Sequence, residues 1–180
     1  MRLFFALWPP LEVAEQLAGI AHSVVDQFGG KPTRQESIHL TLTFVGELPE
    51  AQLPLLAQAA RSVLAAPFTL NVDRFGYWPR KQLLWAGETS PCAALGELAD
   101  ALQQALSEAG FAIPGRRPIF SPHITLVRDF PEARESSAPA PMAPINWPCS
   151  RFVLIRSQKS DSGSFYQTVA DFPLSGSPAT

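Results

Sequence analysis

Two copies of one short pattern, His-x-Thr-Leu, constrain this chain more than any other feature of its sequence. The first copy begins at His39 and the second at His123, and the 180 residues include only three histidines. In each copy, branched or apolar residues alternate with polar ones, which is typical of a half-buried β-strand. Because side chains alternate across a strand, each histidine is predicted to share a face with the threonine two residues later, Thr41 or Thr125.

The residues between the polar ones are predicted to anchor both strands in the core. These core-facing residues are Ile38, Leu40, Leu42 and Phe44 in the first strand, and Ile124 and Leu126 in the second. The two histidines are 84 residues apart, close to half of the chain. This spacing suggests an internal duplication with a pseudo-twofold axis, although little sequence similarity extends beyond the motifs.

Two imidazole–hydroxyl pairs that face one groove suit an in-line displacement at phosphorus. One imidazole can act as a base toward the attacking oxygen and the other as an acid toward the leaving oxygen, because histidine titrates near neutral pH. The threonine hydroxyls can donate to the non-bridging oxygens. Basic residues near the motifs in sequence can raise the local concentration of anions; they are Lys31, Arg34, Arg116, Arg117 and Arg128.

Two other interpretations of the histidines remain open at this level. They can be ordinary strand residues with structural hydrogen bonds, although matched partners at both positions argue against this. They can also be metal ligands, but neither motif carries Asp, Glu or Cys on its polar face. The sequence therefore predicts no metal site.

The paired motifs resemble those of the 2H phosphoesterases. Residues 2–7, 39–46 and 121–128 resemble the RNA 2′,3′-cyclic phosphodiesterase branch of that superfamily, formerly named 2′-5′ RNA ligase, and the similarity runs in order from about residue 2 to about residue 173. The resemblance implies hydrolysis of a terminal 2′,3′-cyclic phosphate of RNA to a 2′-phosphomonoester without a metal or other cofactor. It favours His39 as the acid and His123 as the base.

Three alternative functions follow from the same residues. A 2′-5′ RNA ligase would run the same chemistry in reverse, and a small cyclic-nucleotide phosphodiesterase would use the same site. A non-catalytic protein that binds RNA ends belongs to a different functional class, and the presence of both histidines argues against it.

The resemblance also implies further contacts with the substrate. Arg128 matches an arginine that follows the second motif, and with Thr41 and Thr125 it is expected to bind the phosphate, although strict alternation directs it away from the motif histidine. Phe5 matches an aromatic residue that borders the substrate base, with core packing as its alternative. Tyr166 is a weaker candidate for the same groove.

Hydrophobic periodicity along the chain predicts an α+β fold with largely antiparallel sheets. Helices are predicted at 11–28, 49–65 and 91–109, strands at 3–7, 38–45, 119–128, 151–157 and 165–172, a hairpin at 68–86, and a proline-rich loop at 131–148. The resemblance implies a bilobal fold, with two sheets around a central groove and helices on the outer faces.

Composition limits the domain organisation, the partners and the location. A hydrophobic fraction of 46% suits one bilobal domain over residues 1–174, followed by a flexible tail at 175–180. A net charge of −2 argues against coating of long duplexes, but not against binding one RNA end. Two isolated cysteines fit a reduced, cytoplasmic protein, and a monomer is expected. No apolar run approaches the roughly 20 residues that span a bilayer.

Overall fold

A computed structural model describes residues 1–113, 120–131, 139–160 and 163–176. Three α-helices are Leu11–Phe28 (α1), Leu53–Arg61 (α2) and Ala93–Glu108 (α3). The strands are Arg2–Leu7 (β1), Lys31–Pro32 (β2), Leu40–Glu47 (β3), Phe68–Val72 (β4), Arg74–Trp78 (β5), Leu83–Gly87 (β6), Ile124–Arg128 (β7), Ile145–Cys149 (β8), Arg151–Ser160 (β9) and Gly163–Pro173 (β10). Short 3-10 turns occupy Gln35–Ser37, Glu50–Gln52 and Pro79–Lys81.

The main sheet has two halves that meet at a single residue pair. Its strand order is β10-β9-β1-β3-β7-β6-β5, with β2 also beside β7, and the described pairs are antiparallel. We call β10-β9-β1-β3 lobe 1, and β7-β6-β5 with β2 lobe 2. The lobes join where Leu40 of β3 lies opposite Ile124 of β7. The α+β prediction with antiparallel sheets is therefore confirmed.

The helices cover one face of this sheet, here called the core face, and the opposite face is called the groove face. Helix α1 packs on β2, β7 and β8, whereas α2 and α3 pack on each other and reach β10 and β3. One cluster of buried side chains draws on both lobes, including Leu17, Leu40, Leu98, Ile124 and Leu154. This shared core supports the proposal that residues 1–174 form one domain. None of the described helices is both long and apolar enough to cross a membrane.

Helix α1 shows how local sequence sets an element. Its apolar stripe, with spacings of three and four residues, places Val13, Leu17 and Val24 in the core. Pro10 precedes the first turn, where its missing N–H costs no hydrogen bond. At the other end, Gly29 has a φ of +87° and donates its N–H to the Val25 carbonyl at 2.8 Å, which ends the helix. The predicted bounds of this helix are confirmed.

The predicted hairpin at 68–86 is wrong in its first strand. The stretch predicted as one strand before the turn at 78–81 is divided at Asp73 into β4 and β5. Strand β4 instead pairs with β8 in a separate two-stranded sheet, from Phe68 opposite Cys149 to Val72 opposite Ile145. The predicted turn and returning strand are confirmed, because β5 pairs with β6 across the turn Pro79–Lys81.

The predicted loop at 131–148 is consequently wrong at its C-terminal end. In β8, Ile145, Trp147 and Cys149 alternate as buried residues with exposed ones between them. Pro148 fits there because a two-stranded sheet has only edge strands, where a missing N–H donor is tolerated. Residues 132–138 of the predicted loop lie outside the described residues. Helix α2 is also shorter than the predicted 49–65. It begins at Leu53, after the 3-10 turn Glu50–Gln52, and it ends at Arg61.

The side chains of β3 reverse their direction just after the first motif. Thr41 and Thr43 lie opposite adjacent residues of β1, so Leu42 is an extra residue in the pairing. Phe44 is therefore 52% exposed on the groove face, with its ring centroid 5.9 Å from that of Phe4. The prediction that Phe44 faces the core is wrong, because one extra residue reverses the facing of those that follow it. The other predicted core residues are buried, namely Ile38, Leu40, Leu42, Ile124 and Leu126.

The predicted C-terminal tail is described only at its start. Gly176 donates its N–H to the carbonyl of Ala65 at 2.9 Å, which ties this residue to the segment after α2. Residues 177–180 lie outside the described residues, so the flexible tail stays a prediction.

Candidate active site

The two motifs meet at the junction of the lobes. Leu40 and Ile124, the single pair between β3 and β7, are the residues between the histidine and the threonine of each motif. Both are buried on the core face. Because neighbouring residues alternate, both histidines and both threonines lie on the groove face, where all four are partly exposed. The junction therefore brings together the four residues that the sequence singled out.

Both imidazoles are anchored by the same hydrogen bond. Nδ1 of His39 donates to the carbonyl of Ser37 at 2.7 Å, and Nδ1 of His123 donates to the carbonyl of Ser121 at 2.9 Å. A carbonyl oxygen can only accept, so Nδ1 carries the proton in each ring. Nε2 is then the nitrogen that can take up or release a proton. This is the arrangement that a general acid or base requires.

Three aromatic rings surround His39. Trp8 stacks on the imidazole with ring centroids 5.3 Å apart and an angle of 4° between the planes. Phe4 lies at 5.0 Å, and Tyr166 meets the imidazole edge-on at 5.3 Å. Tyr166 thus lies beside the first motif, as expected of a groove residue. The aromatic rings exclude water from much of the imidazole.

This environment changes the acidity of His39. Burial, together with repulsion from His123 and Arg128, lowers the pKa of His39 to about 4, although the hydrogen bond to Ser37 acts in the opposite direction. His39 is therefore neutral at pH 7 in the unliganded protein. A bound anion would oppose both causes of the shift, because it pairs with the buried charge and offsets the neighbouring cations.

His123 has an aromatic neighbour of its own. The Trp78 ring meets its imidazole edge-on, with centroids 4.4 Å apart. Trp78 also contacts Trp85, at 5.7 Å, and Trp85 lies opposite Thr125 across the β6–β7 pairing. Each motif histidine therefore has one tryptophan against its ring, which comes from a strand or turn of the same lobe.

Arg128 reaches the groove face because β7 contains an extra residue. Leu84 and Trp85 are adjacent in β6, but they lie opposite Val127 and Thr125, so Leu126 is skipped. Leu126 and Val127 are both fully buried, and Arg128 is exposed. Strict alternation would have directed Arg128 away from His123, but the extra residue interrupts that alternation. The positive charge of Arg128 contributes to the lowered pKa of His39, so the two side chains interact electrostatically.

The two irregularities occupy equivalent positions. The skipped residues, Leu42 and Leu126, each follow the threonine of a motif. Two residues further, Phe44 and Arg128 turn toward the groove face. All these pairs share the 84-residue offset of the histidines, so the local backbone supports the hypothesis of a duplicated unit. The equivalent positions differ in chemistry, since lobe 1 carries an aromatic ring and lobe 2 a cation.

The expectation that Phe5 borders the substrate base does not fit the structure. Its side chain is fully buried, and it packs against Phe152 at 6.1 Å and Phe172 at 5.8 Å on the core face. Its neighbour Phe4 is the ring that contacts the first motif. Trp8 shares the face of Phe4, but no polar residue between Leu3 and Leu7 marks that face, so the sequence carried no signal for either ring.

The other predicted cations have partners of their own or lie outside the described chain. Lys31 forms an ion pair with Asp129 at 2.8 Å. Arg34 lies 3.4 Å from a carboxylate oxygen of Glu36 and donates to the Ser164 carbonyl at 2.7 Å. Arg116 and Arg117 lie outside the described residues. Among the described residues, no three His, Cys, Asp or Glu side chains form a cluster that could hold a metal ion.

Comparison with known proteins identifies the family. A family model described as LigT like Phosphoesterase matches residues 7–85. An RNA 2′,3′-cyclic phosphodiesterase from Thermus thermophilus is 36% identical over 188 residues, which cover 98% of this chain and 91% of that protein. The chain belongs to the LigT-like phosphoesterase family.

Two further matches to LigT-like phosphoesterases agree with this assignment. An RNA 2′,3′-cyclic phosphodiesterase from Escherichia coli is 36% identical over 132 residues, or 73% of this chain and 74% of that protein. The crystal structure of E. coli LigT complexed with 3′-AMP has a TM-score of 0.83 at 30% identity, covering 96% of this chain and 97% of that one. The predicted 2H phosphoesterase fold is thereby confirmed.

Proposed function

We propose that this LigT-like phosphoesterase opens terminal 2′,3′-cyclic phosphates of RNA to 2′-phosphomonoesters by acid–base catalysis between His39 and His123. The observation that carries the proposal is the matched anchoring of two imidazoles on either side of the Leu40–Ile124 pair. Relatives named RNA 2′,3′-cyclic phosphodiesterase support the substrate class.

The remaining groove residues suit the phosphate. The hydroxyls of Thr41 and Thr125 lie on the groove face and can donate to its non-bridging oxygens. The Arg128 guanidinium adds positive charge beside His39, which favours a bound anion and the negative charge of the transition state. A water molecule attacking on one side of the phosphorus and a leaving oxygen on the other side would each meet one imidazole.

We assign the acid role to His39 and the base role to His123, as the family resemblance implies. Because His39 is neutral in the unliganded protein, it must take up a proton when the phosphate binds. His39 then delivers this proton to the 3′ oxygen as the P–O3′ bond breaks. His123 accepts a proton from water as the new P–O bond forms.

The pKa of His39 is expected to rise from about 4 when an anion occupies the groove. Titration of the histidine ring signals by NMR, with and without saturating inorganic phosphate, measures this change. His22, on α1 with Nδ1 donating to the Ala18 carbonyl, provides an internal reference. If the pKa of His39 stays near 4 with phosphate bound, His39 starts the reaction without a proton, and the acid and base roles are exchanged.

The base of the terminal nucleotide is proposed to pack against Phe44 and Tyr166, in place of the buried Phe5. Phe44 is exposed on the groove face beside Phe4, and Tyr166 is partly exposed at the first motif. The complex of E. coli LigT with 3′-AMP supports nucleotide binding by this family.

Turnover is expected to survive excess EDTA. The proposed mechanism uses two imidazoles, two hydroxyls and a guanidinium, and positive charge beside His39 opposes cation binding. Hydrolysis of an RNA ending in a 2′,3′-cyclic phosphate, measured before and after dialysis against chelator, tests this. Loss of turnover that a divalent ion restores would contradict the two-imidazole mechanism. Absence of turnover under every condition would favour the RNA-end binding protein.

We further propose that the protein acts as a monomer in the cytoplasm. One chain supplies both motifs, so the site is complete without a second copy. Cys92 and Cys149 are free thiols, which suits a reducing compartment. Size-exclusion chromatography with light scattering tests the monomer, and a stable dimer at micromolar concentration would contradict it.

A further inference from the structure

The turn between β5 and β6 lies beside His123 and carries an aromatic ring and two cations. Trp78, which contacts the His123 imidazole, begins this turn. The Lys81 ammonium lies over the Trp78 ring, 4.9 Å from its centroid. Together with Pro79 and Arg80, these residues line an open cleft of about 420 Å³. We call Trp78, Arg80 and Lys81 the Trp78 platform.

The backbone that carries the platform is fixed at both ends. After the 3-10 turn, Gln82 adopts a left-handed conformation with φ of 47°, and its carbonyl accepts the N–H of Phe130 at 2.9 Å. On β5, Gly76 lies beneath the Trp85 ring, since a Cβ at Gly76 would approach that ring to 2.0 Å. Trp85 therefore lies against the strand and supports Trp78 at 5.7 Å. The platform is preorganised, which reduces the entropy lost on binding.

The charges near the groove are distributed unequally between the lobes. The lobe 1 groove face carries an apolar cluster around Phe4, Ala6, Val153 and Ile155. On lobe 2, Arg80 and Lys81 are exposed beside Trp78, and the Arg74 guanidinium lies 5.1 Å from the Trp85 ring centroid. Trp78 itself is partly exposed. An accessible aromatic ring flanked by cations is the combination that binds single-stranded nucleic acid, because bases stack on the ring and phosphates meet the cations.

We propose that the Trp78 platform binds the nucleotide immediately 5′ of the one that carries the cyclic phosphate. This inference rests on the proposed function and extends it. If the terminal base packs on lobe 1 against Phe44 and Tyr166, the strand leaves the site across lobe 2. The next base then takes the place of the Lys81 ammonium over the Trp78 ring, and its phosphate pairs with Lys81 and Arg80. The preferred substrate is therefore a single-stranded oligonucleotide, not a cyclic mononucleotide.

The test compares kcat/KM for adenosine 2′,3′-cyclic phosphate with that for an RNA tetranucleotide with the same 3′ end. The wild-type ratio of tetranucleotide to mononucleotide is expected to be about 5 to 100, the worth of one stacked base. Lys81→Glu should lower this ratio about tenfold and reduce its salt dependence by about one phosphate contact. Arg61→Glu, the same charge change on the exposed surface of α2, is the matched control and should leave the ratio unchanged.

Each outcome separates this proposal from the one it rests on. A wild-type ratio near one, with both substrates hydrolysed, overturns the platform and leaves the proposed function intact. Equal effects of Lys81→Glu and Arg61→Glu also overturn it.

If neither substrate is hydrolysed, the proposed function fails, and a binding experiment tests the platform instead. This experiment measures fluorescence anisotropy of a 5′-labelled tetranucleotide that ends in a 2′-phosphate. Trp78→Leu should then weaken binding about 5- to 100-fold, and unchanged binding would overturn the platform.

Discussion

Replacing either motif histidine with alanine is expected to lower kcat by about 10²- to 10⁴-fold, the usual worth of a general acid or base. His39→Ala and His123→Ala each remove an imidazole that is anchored by its own backbone carbonyl. The partner on the same strand is a threonine, which cannot exchange a proton near neutral pH. Steady-state kinetics on an RNA ending in a 2′,3′-cyclic phosphate measure the loss.

The double variant should lose less than the product of the two single losses, because both residues serve one displacement. His22→Ala is the matched control. His22 lies on α1, and its Nδ1 bonds to the Ala18 carbonyl within that helix, so kcat should not change. Near wild-type turnover by His39→Ala would reject the acid–base pair. Thr41→Val and Thr125→Val should cost less than the histidine changes, since each removes only a hydroxyl donor.

The second large effect is expected on stability. Leu40→Ala should lower the free energy of unfolding by about 2–5 kcal/mol, as for other large-to-small changes in a core. Leu40 is 3% exposed, and its backbone forms half of the only described pair between β3 and β7. Because the side chain points to the core face, kcat of the folded fraction should be spared. Urea unfolding and active-site-normalised kinetics test the two statements.

Phe44→Ala is the control from the same strand. It removes a larger side chain from a position that is 52% exposed, so the unfolding free energy should fall much less than for Leu40→Ala. Its effect should instead be a higher KM, since Phe44 is proposed to contact the base. Comparable destabilisation by the two variants, or loss of kcat in folded Leu40→Ala, would show that the facing of β3 is inverted.

Sequence patterns predicted the placement of the motif residues better than that of the residues around them. Alternation placed His39 and Thr41 on one face and Leu40 on the other. A strand with one exposed and one buried face has polar and apolar residues that alternate with a period of two. The hydrophobicity pattern does not reveal the extra residue at Leu42, because an inserted apolar residue cannot be told apart from the other apolar residues of the strand. Alternation therefore predicted the wrong face of the sheet for Phe44.

The choice between Phe4 and Phe5 failed for a related reason. Strand β1 is buried from Leu3 to Leu7, so no polar residue in that run marks which face is which. The pairing of β4 with β8 was beyond local patterns, because those strands are far apart in sequence and the intervening prolines favoured a loop. Contacts with His39 and His123 by Trp8 and Trp78 likewise depend on tertiary placement.

The equivalence of Phe44 and Arg128 bears on the regiochemistry of hydrolysis. If the hypothesis of a duplicated unit holds, the two imidazoles are related by a pseudo-twofold axis and cannot, by themselves, distinguish one ribose oxygen from the other. A nucleotide turned by half a revolution would meet the same pair of groups and would release the opposite isomer. Selection of the 2′ product must therefore come from residues that break the symmetry. Phe44 is proposed to contact the base on one side and Arg128 to bind the phosphate on the other, so only one orientation of the nucleotide would satisfy both.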